Sequence, residues 1–113
     1  MLLYINMENQ EYKKEEIEKI LEEYKPLAEK VASKYFFYAD ELNIDHKKLI
    51  EISFSGAFAG YLKKPKKKTS YKLATYLTWW MRRFVHNALI LEILKINEKQ
   101  PEKAKNMLLE MLE

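Results

Sequence analysis

A chain of 113 residues is expected to form one domain around one core. Only two glycines and three prolines interrupt it, and Lys, Glu, Leu and Ala abound, so the composition points to long helices and an all-α fold. With no cysteine, disulfides, thiol nucleophiles and cysteine-based metal sites are excluded.

The net charge of +3 hides an uneven distribution. Residues 1–51 hold 8 basic and 12 acidic side chains, residues 52–91 hold 8 and none, and residues 92–113 hold 4 and 5. All excess positive charge lies in the segment that carries both tryptophans, a pattern suited to a polyanion with exposed bases. A lysine run alone more often marks a solvated face. The opening MLLYINMENQ has no basic n-region, and no stretch approaches the roughly 20 apolar residues of a membrane span. A cytoplasmic protein without a membrane partner is expected.

Residues 1–14 read as an N-terminal extension. From Glu15 to Tyr35, Ile17, Ile20, Leu21, Tyr24, Leu27, Ala28, Val31 and Ala32 recur at helical steps, with Pro26 predicting a kink or a break that would put it in the first turn of a second helix. FFYADELN then reads as an aromatic connection. Asp45 is placed to cap a helix with Leu49, Ile50, Phe54, Ala57, Phe58, Tyr61 and Leu62 on its apolar side. Gly56 and Gly60, one turn apart, allow a second helix to approach closely. KKPKKKTS, Lys63 to Ser70, reads as an exposed loop, with Thr69 or Ser70 placed to cap the helix after it.

That helix, from about Tyr71 to Ile96, is apolar on much of its circumference and should be central to the bundle; its apolar residues include Leu91 and Leu94. Within it, Tyr76 and Trp80 fit one stripe, whereas Trp79, about 100° away from its neighbour, lies off it and is expected at the surface. Residues 97–113 form a short C-terminal helix, opened by Pro101, with Ala104, Met107, Leu108, Met111 and Leu112 on one side. His46 and His86 are far apart and show no metal-ligand spacing, and no phosphate loop or nucleophile elbow is present, so neither a catalytic residue, a metal nor a cofactor is expected.

The segment SYKLATYLTWWMRRFVHNAL resembles the end of region 2 of bacterial sigma-70 family factors. Thr75, Tyr76, Thr78, Trp79, Trp80 and Arg82 match that signature in register, as do Tyr71 and Lys72 before it. YKPLAEKVASKYF and LIEISFSGAF resemble two earlier helices of the same region, so the likeness runs over roughly residues 17 to 90. It implies a compact helical bundle over residues 15–96 that docks on the clamp of RNA polymerase and traps flipped bases of the melted minus-ten element on aromatic rings. By resemblance, Tyr76 stacks on a flipped base and Trp79 and Trp80 stand at the upstream fork. Tyr71, Lys72 and Thr75 line the single-strand path, and Arg82 meets phosphate or an ion-pair partner. Arg83 and His86 occupy base-reading positions with side chains that differ from the family's. Lys66, Lys67 and Lys68 are placed to hold strand or duplex phosphates. Lys48, Leu49, Glu51, Ile52 and Phe54 fall in the polymerase-docking helix, with Ile52 where the family carries an acid. Leu73 and Ala74 replace its Phe-Ser.

About 20 residues after Ile96 cannot hold a helix-turn-helix. The expectation is therefore a stand-alone region 2 acting with DNA, RNA polymerase core and a second sigma-like subunit or another copy of itself. The competing reading is a helical interaction module that keeps the fold, binds a protein through Ile52, Phe54 and the Met-rich last helix, and touches DNA only nonspecifically.

Overall fold

The structure, a computed structural model, describes residues 14–64 and 72–112. Its five helices in chain order are α1 (Lys14–Ser33), α2 (Phe36–Glu41), α3 (His46–Lys63), α4 (Leu73–Ile96) and α5 (Pro101–Leu112). No strand occurs among the described residues, and the fold is an all-α helical bundle. None of these helices is long and apolar enough to cross a membrane.

Pro26 neither breaks nor ends α1, which runs through it without interruption. Both Pro26 and Glu22, whose carbonyl loses its amide donor, are exposed, so water can serve the freed oxygen. Ile17 on one side of the proline and Ala28, Val31 and Ala32 on the other are buried, and this packing holds the two halves in one helix.

The aromatic connection contains a helix of its own. In α2 the amides of Asn43 and Ile44 return to the carbonyls of Asp40 and Ala39, at 3.2 and 2.7 Å, which is the Schellman pattern of helix ends. Asn43 takes the left-handed conformation this stop requires, with φ of 59°. Two residues on, Asp45 caps α3 as expected, its carboxylate accepting from the Lys47 amide at 3.2 Å. Phe36 stacks on the His46 ring at 3.9 Å, which fastens α2 to the start of α3.

Helix α4 is the centre of the bundle. Leu77, Met81, Val85, Leu89 and Ile93, one in every four residues, are its buried stripe. Its first half closes a cluster with Ile17, Ala28, Val31, Ala57 and Tyr61 of α1 and α3. The second half closes another with Ala32, Ala39, Leu49 and α5's Ala104, Met107 and Met111. The Ser53 hydroxyl, fully buried, donates to the Ala28 carbonyl at 2.9 Å and ties α3 to α1 between apolar neighbours. Gly56 and Gly60 are the points of closest approach: a Cβ on Gly56 would stand 2.7 Å from the Trp80 carbonyl oxygen, and one on Gly60 2.7 Å from Trp80 Cδ1.

Four expectations need correction. Leu49 is fully buried in the second cluster, because α4, with α1 and α2, packs on that side of α3, and it cannot belong to a docking surface. Leu91 and Leu94, counted with the apolar side of α4, are 62% and 54% exposed, since neither α3 nor α5 reaches that flank. Leu112, placed with the buried side of α5, is also mostly exposed. Helix α4 begins at Leu73, with Lys72 at the cap position and no side-chain cap bond; Thr69 and Ser70 lie outside the described residues.

Candidate nucleic-acid interface

Adjacent residues on a helix diverge by about 100°, and the two tryptophans use that angle to go separate ways. Trp80 turns toward α3, where Gly60 makes room for its ring, and is half-buried. Its indole N–H is enclosed and has no hydrogen-bond partner among the described residues, so packing and ring contacts, without a hydrogen bond, seat this ring. Trp79 turns outward and is 53% exposed. The rings meet edge to face, with centroids 5.3 Å apart and planes at 88°. The buried indole thus braces the exposed one.

Tyr76 and Phe84 complete the aromatic row, each edge-on to Trp80 with centroids 6.4 Å away. Tyr76 is half-buried, and its hydroxyl donates to the Lys63 carbonyl at 3.1 Å, which clamps the start of α4 to the end of α3. Tyr76 therefore combines a structural bond with a partly accessible side chain. Thr78 is spent locally, donating to the Ala74 carbonyl at 2.7 Å.

Cations interleave with these rings. The Arg83 guanidinium lies 5.3 Å from the Trp79 centroid and 5.9 Å from that of Trp80. Lys63 Nζ stands 5.3 Å from Trp80, and Lys64 Nζ 5.0 Å from Tyr61. Lys72, Thr75 and Arg82 are exposed on the same half of α4. Tyr71, Lys66, Lys67 and Lys68 lie outside the described residues.

Below Trp79, an open pocket of about 380 Å³ is lined by Trp79, Arg82, Arg83, His86, Asn87, Ile90 and Leu112. His86 is held from across the bundle: its Nε2 is 2.8 Å from the Tyr35 hydroxyl, and the two rings meet edge-on at 5.0 Å. Burial, and secondarily the charge of Arg82, lowers its pKa below 6.5, which favours a neutral ring at pH 7.

The structure therefore brings Trp79, Arg82, Arg83 and His86 to one pocket and sets Tyr76 and Trp80 beside it. It does not unite the expected docking residues. Lys48 and Ile52 share a second hollow of about 330 Å³ with Leu42, Ile44 and Glu92. Phe54 packs against the other cluster, Glu51 is exposed, and Leu49 is in the core. Asn87, Ile90, Leu112 and Tyr35 were not among the residues the sequence singled out for the site. Helical spacing from Trp79 and Arg83 reaches Asn87 and Ile90. Leu112 and Tyr35 arrive from other helices and carry no local signal.

No protein-family model, curated protein or solved structure matches the chain.

Proposed function

We propose that this chain is a sigma-region-2-like transcription initiation domain of the cytoplasm, which binds unpaired bases of melted minus-ten promoter DNA and contacts RNA polymerase with the help of a separate partner. The observation that carries this reading is Trp79, exposed, braced by Trp80 and covered by Arg83, in a segment of 40 residues with 8 positive charges and none negative. A large apolar ring held at the surface beside a guanidinium offers a base its π-face and a phosphate its counter-charge at one spot. Lysines and arginines attract the strand, Trp79 and the accessible part of Tyr76 replace the lost stacking neighbours, and no bond is made or broken. The mechanism is capture, without catalysis. Lys48, Glu51 and Ile52 of α3 are the accessible part of the polymerase-binding face in this reading.

A second reading draws on Leu91, Leu94 and Leu109, which are exposed on α4 and α5 outside the basic segment or at its end. They fit a helical interaction module with only nonspecific affinity for DNA. Fluorescent single-stranded, forked and duplex oligonucleotides bearing a TATAAT-like element, titrated at two salt concentrations, separate the two. Base capture predicts a preference for the unpaired element that survives the higher salt. It also predicts that Trp79→Ala weakens that binding by roughly 5- to 150-fold, the equivalent of about 1–3 kcal/mol of lost stacking. Equal, salt-sensitive binding to all three forms would leave only an electrostatic face and favour the interaction module.

A further inference from the structure

Leu91 and Leu94 are 62% and 54% exposed on the half of α4 that lies beyond its arginines. Their chain neighbours show where they stand. Ile90 lines the pocket beside α5, whereas Ala88 and Glu92 line the second hollow, beside α3. Leu91 is therefore a knob on the ridge between two depressions. The second hollow, of about 330 Å³, is lined by the apolar side chains of Leu42, Ile44, Ile52 and Ala88, and Asp45, Lys48 and Glu92 bring charge to it. Ala88 and Glu92 bracket Leu91 along α4, so at about 1.5 Å per residue the knob stands within about 2 Å of the level of the hollow.

We propose that this hollow receives Leu91 of a second copy of the chain, in a two-fold dimer where each copy gives one knob and accepts one. A two-fold axis running alongside α4, between ridge and hollow, exchanges the two without shifting them along the helix, so making one contact makes the other. An unrelated partner would need only one of the pair, whereas self-pairing needs both at a common level. The charges agree. The hollow carries two acids against one lysine, and the ridge brings Lys95, exposed next to Leu94 and paired with its own Glu92 at 3.0 Å. That ion pair is exchanged between copies on association. The area is sufficient for a reversible contact: Phe84 to Glu98 spans about 21 Å of α4, and the shortest extent of the bundle is 25 Å. A face of those dimensions buries roughly 1,000 Å² over both copies, the lower end of specific interfaces. Lys48 and Ile52 lie in the same hollow, so, resting on the polymerase-binding reading of α3, the dimer is closed to polymerase until it dissociates.

The test is sedimentation velocity of the full chain from about 5 to about 500 μM. A reversible monomer–dimer equilibrium is expected. Because the axis brings the basic halves of both α4 helices to the same end, raising salt from about 0.1 to about 0.5 M should hold or tighten the dimer, the opposite of its effect on DNA binding. Leu91→Lys should weaken association at least tenfold while keeping the native melting curve, as an exposed side chain allows. Leu109→Lys, on α5 and equally exposed, should leave it unchanged. The chain has no cysteine, so mild oxidation of a mixture of Leu91→Cys and Lys48→Cys chains should link the two variants to each other, and a mixture of Leu109→Cys and Lys48→Cys should not. A wild type that stays monomeric at the highest concentration overturns the dimer. So does a dimer that Leu91→Lys leaves intact, or one that cross-links through position 109 instead of 91. A dimer confirmed by these readouts that purified RNA polymerase core does not dissociate stands by itself and overturns only the polymerase-binding reading of α3.

Discussion

Gly56 and Gly60 sit one turn apart on α3, face the same helix, and are predicted to respond differently to the same substitution. A Cβ at Gly56 would meet backbone alone: the Trp80 carbonyl oxygen at 2.7 Å, Met81 Cα at 2.8 Å and Met81 N at 3.1 Å. No rotamer relieves those contacts, so Gly56→Ala must push α3 and α4 apart at the level of Met81, which is fully buried. Overpacking of this kind costs about 1–3 kcal/mol, and a rigid backbone contact belongs at the upper end. Alanine returns about 1 kcal/mol of helix propensity. The net loss is about 1–2 kcal/mol, equivalent to a fall of roughly 5–10 °C in Tm for a domain of this size. At Gly60 the added Cβ meets side chains instead, Trp80 Cδ1 at 2.7 Å, Trp80 Cγ at 2.8 Å and Leu77 Cδ2 at 3.0 Å. The indole can swing outward. Gly60→Ala is therefore expected to change Tm by less than half as much while displacing Trp80 from its place behind Trp79.

Thermal melts followed by far-UV circular dichroism compare the two variants, and tryptophan emission in a Trp79→Phe background reports on Trp80 alone. A red-shifted, more quenchable emission is expected for Gly60→Ala and an unchanged one for Gly56→Ala. Equal melting temperatures for wild type and Gly56→Ala would refute the close approach of the two backbones. A larger loss at Gly60 than at Gly56 would show that the ring is more rigidly held than its packing without a hydrogen bond implies.

Pro26→Ala should stabilise the protein by about 1–2 kcal/mol, because a proline inside a helix costs up to about 3 kcal/mol relative to alanine while its stiffness in the unfolded chain returns about 0.4–1 kcal/mol; a lower Tm than wild type would contradict the reading of α1. His86 has its pKa lowered by burial and by Arg82, so as pH falls below about 6.5 the unfolded chain takes up this proton first and stability declines. Urea midpoints for wild type and His86→Gln should therefore diverge less at about pH 5.5 than at about pH 7.5, and a difference independent of pH would exclude this contribution.

The parts of the fold written in local chemistry were legible in the sequence: Asp45 before an apolar-periodic run, Pro101 at the start of a short helix, and two glycines at a helical interval. Helix α2 was not, because its signal is a left-handed Asn43 after only six residues, too short for a periodicity to register. Of the two readings Pro26 allowed, a kink or a break, the break did not occur. The local cost of the proline is real, and tertiary burial of Ile17 and Val31 on either side outweighs it. At the candidate site, the angle between neighbours on a helix was enough to separate exposed Trp79 from half-buried Trp80. Leu49 shows the limit of transferring roles by position, since a residue within a docking helix still faces the core once per turn. Leu112 and Tyr35 could be placed only by knowing how α5 and the end of α1 fold back on α4.

One geometric fact about α4 connects the core with the site. Four residues advance a helix by about 400°, so a stripe with one buried residue in four winds by about 40° at each step. From Leu77 to Ile93 that stripe turns through about 160°, nearly half the circumference, without losing burial. Its first half consequently faces α1 and α3, and its second half meets α5 as well, beside Ala32, Ala39 and Leu49. The outward face must wind with it. Trp79 stands clear at one end, whereas Ile90, further along, lies where α5 has come alongside and Leu112 closes the flank. The pocket forms where the winding open face runs into the helix that covers it.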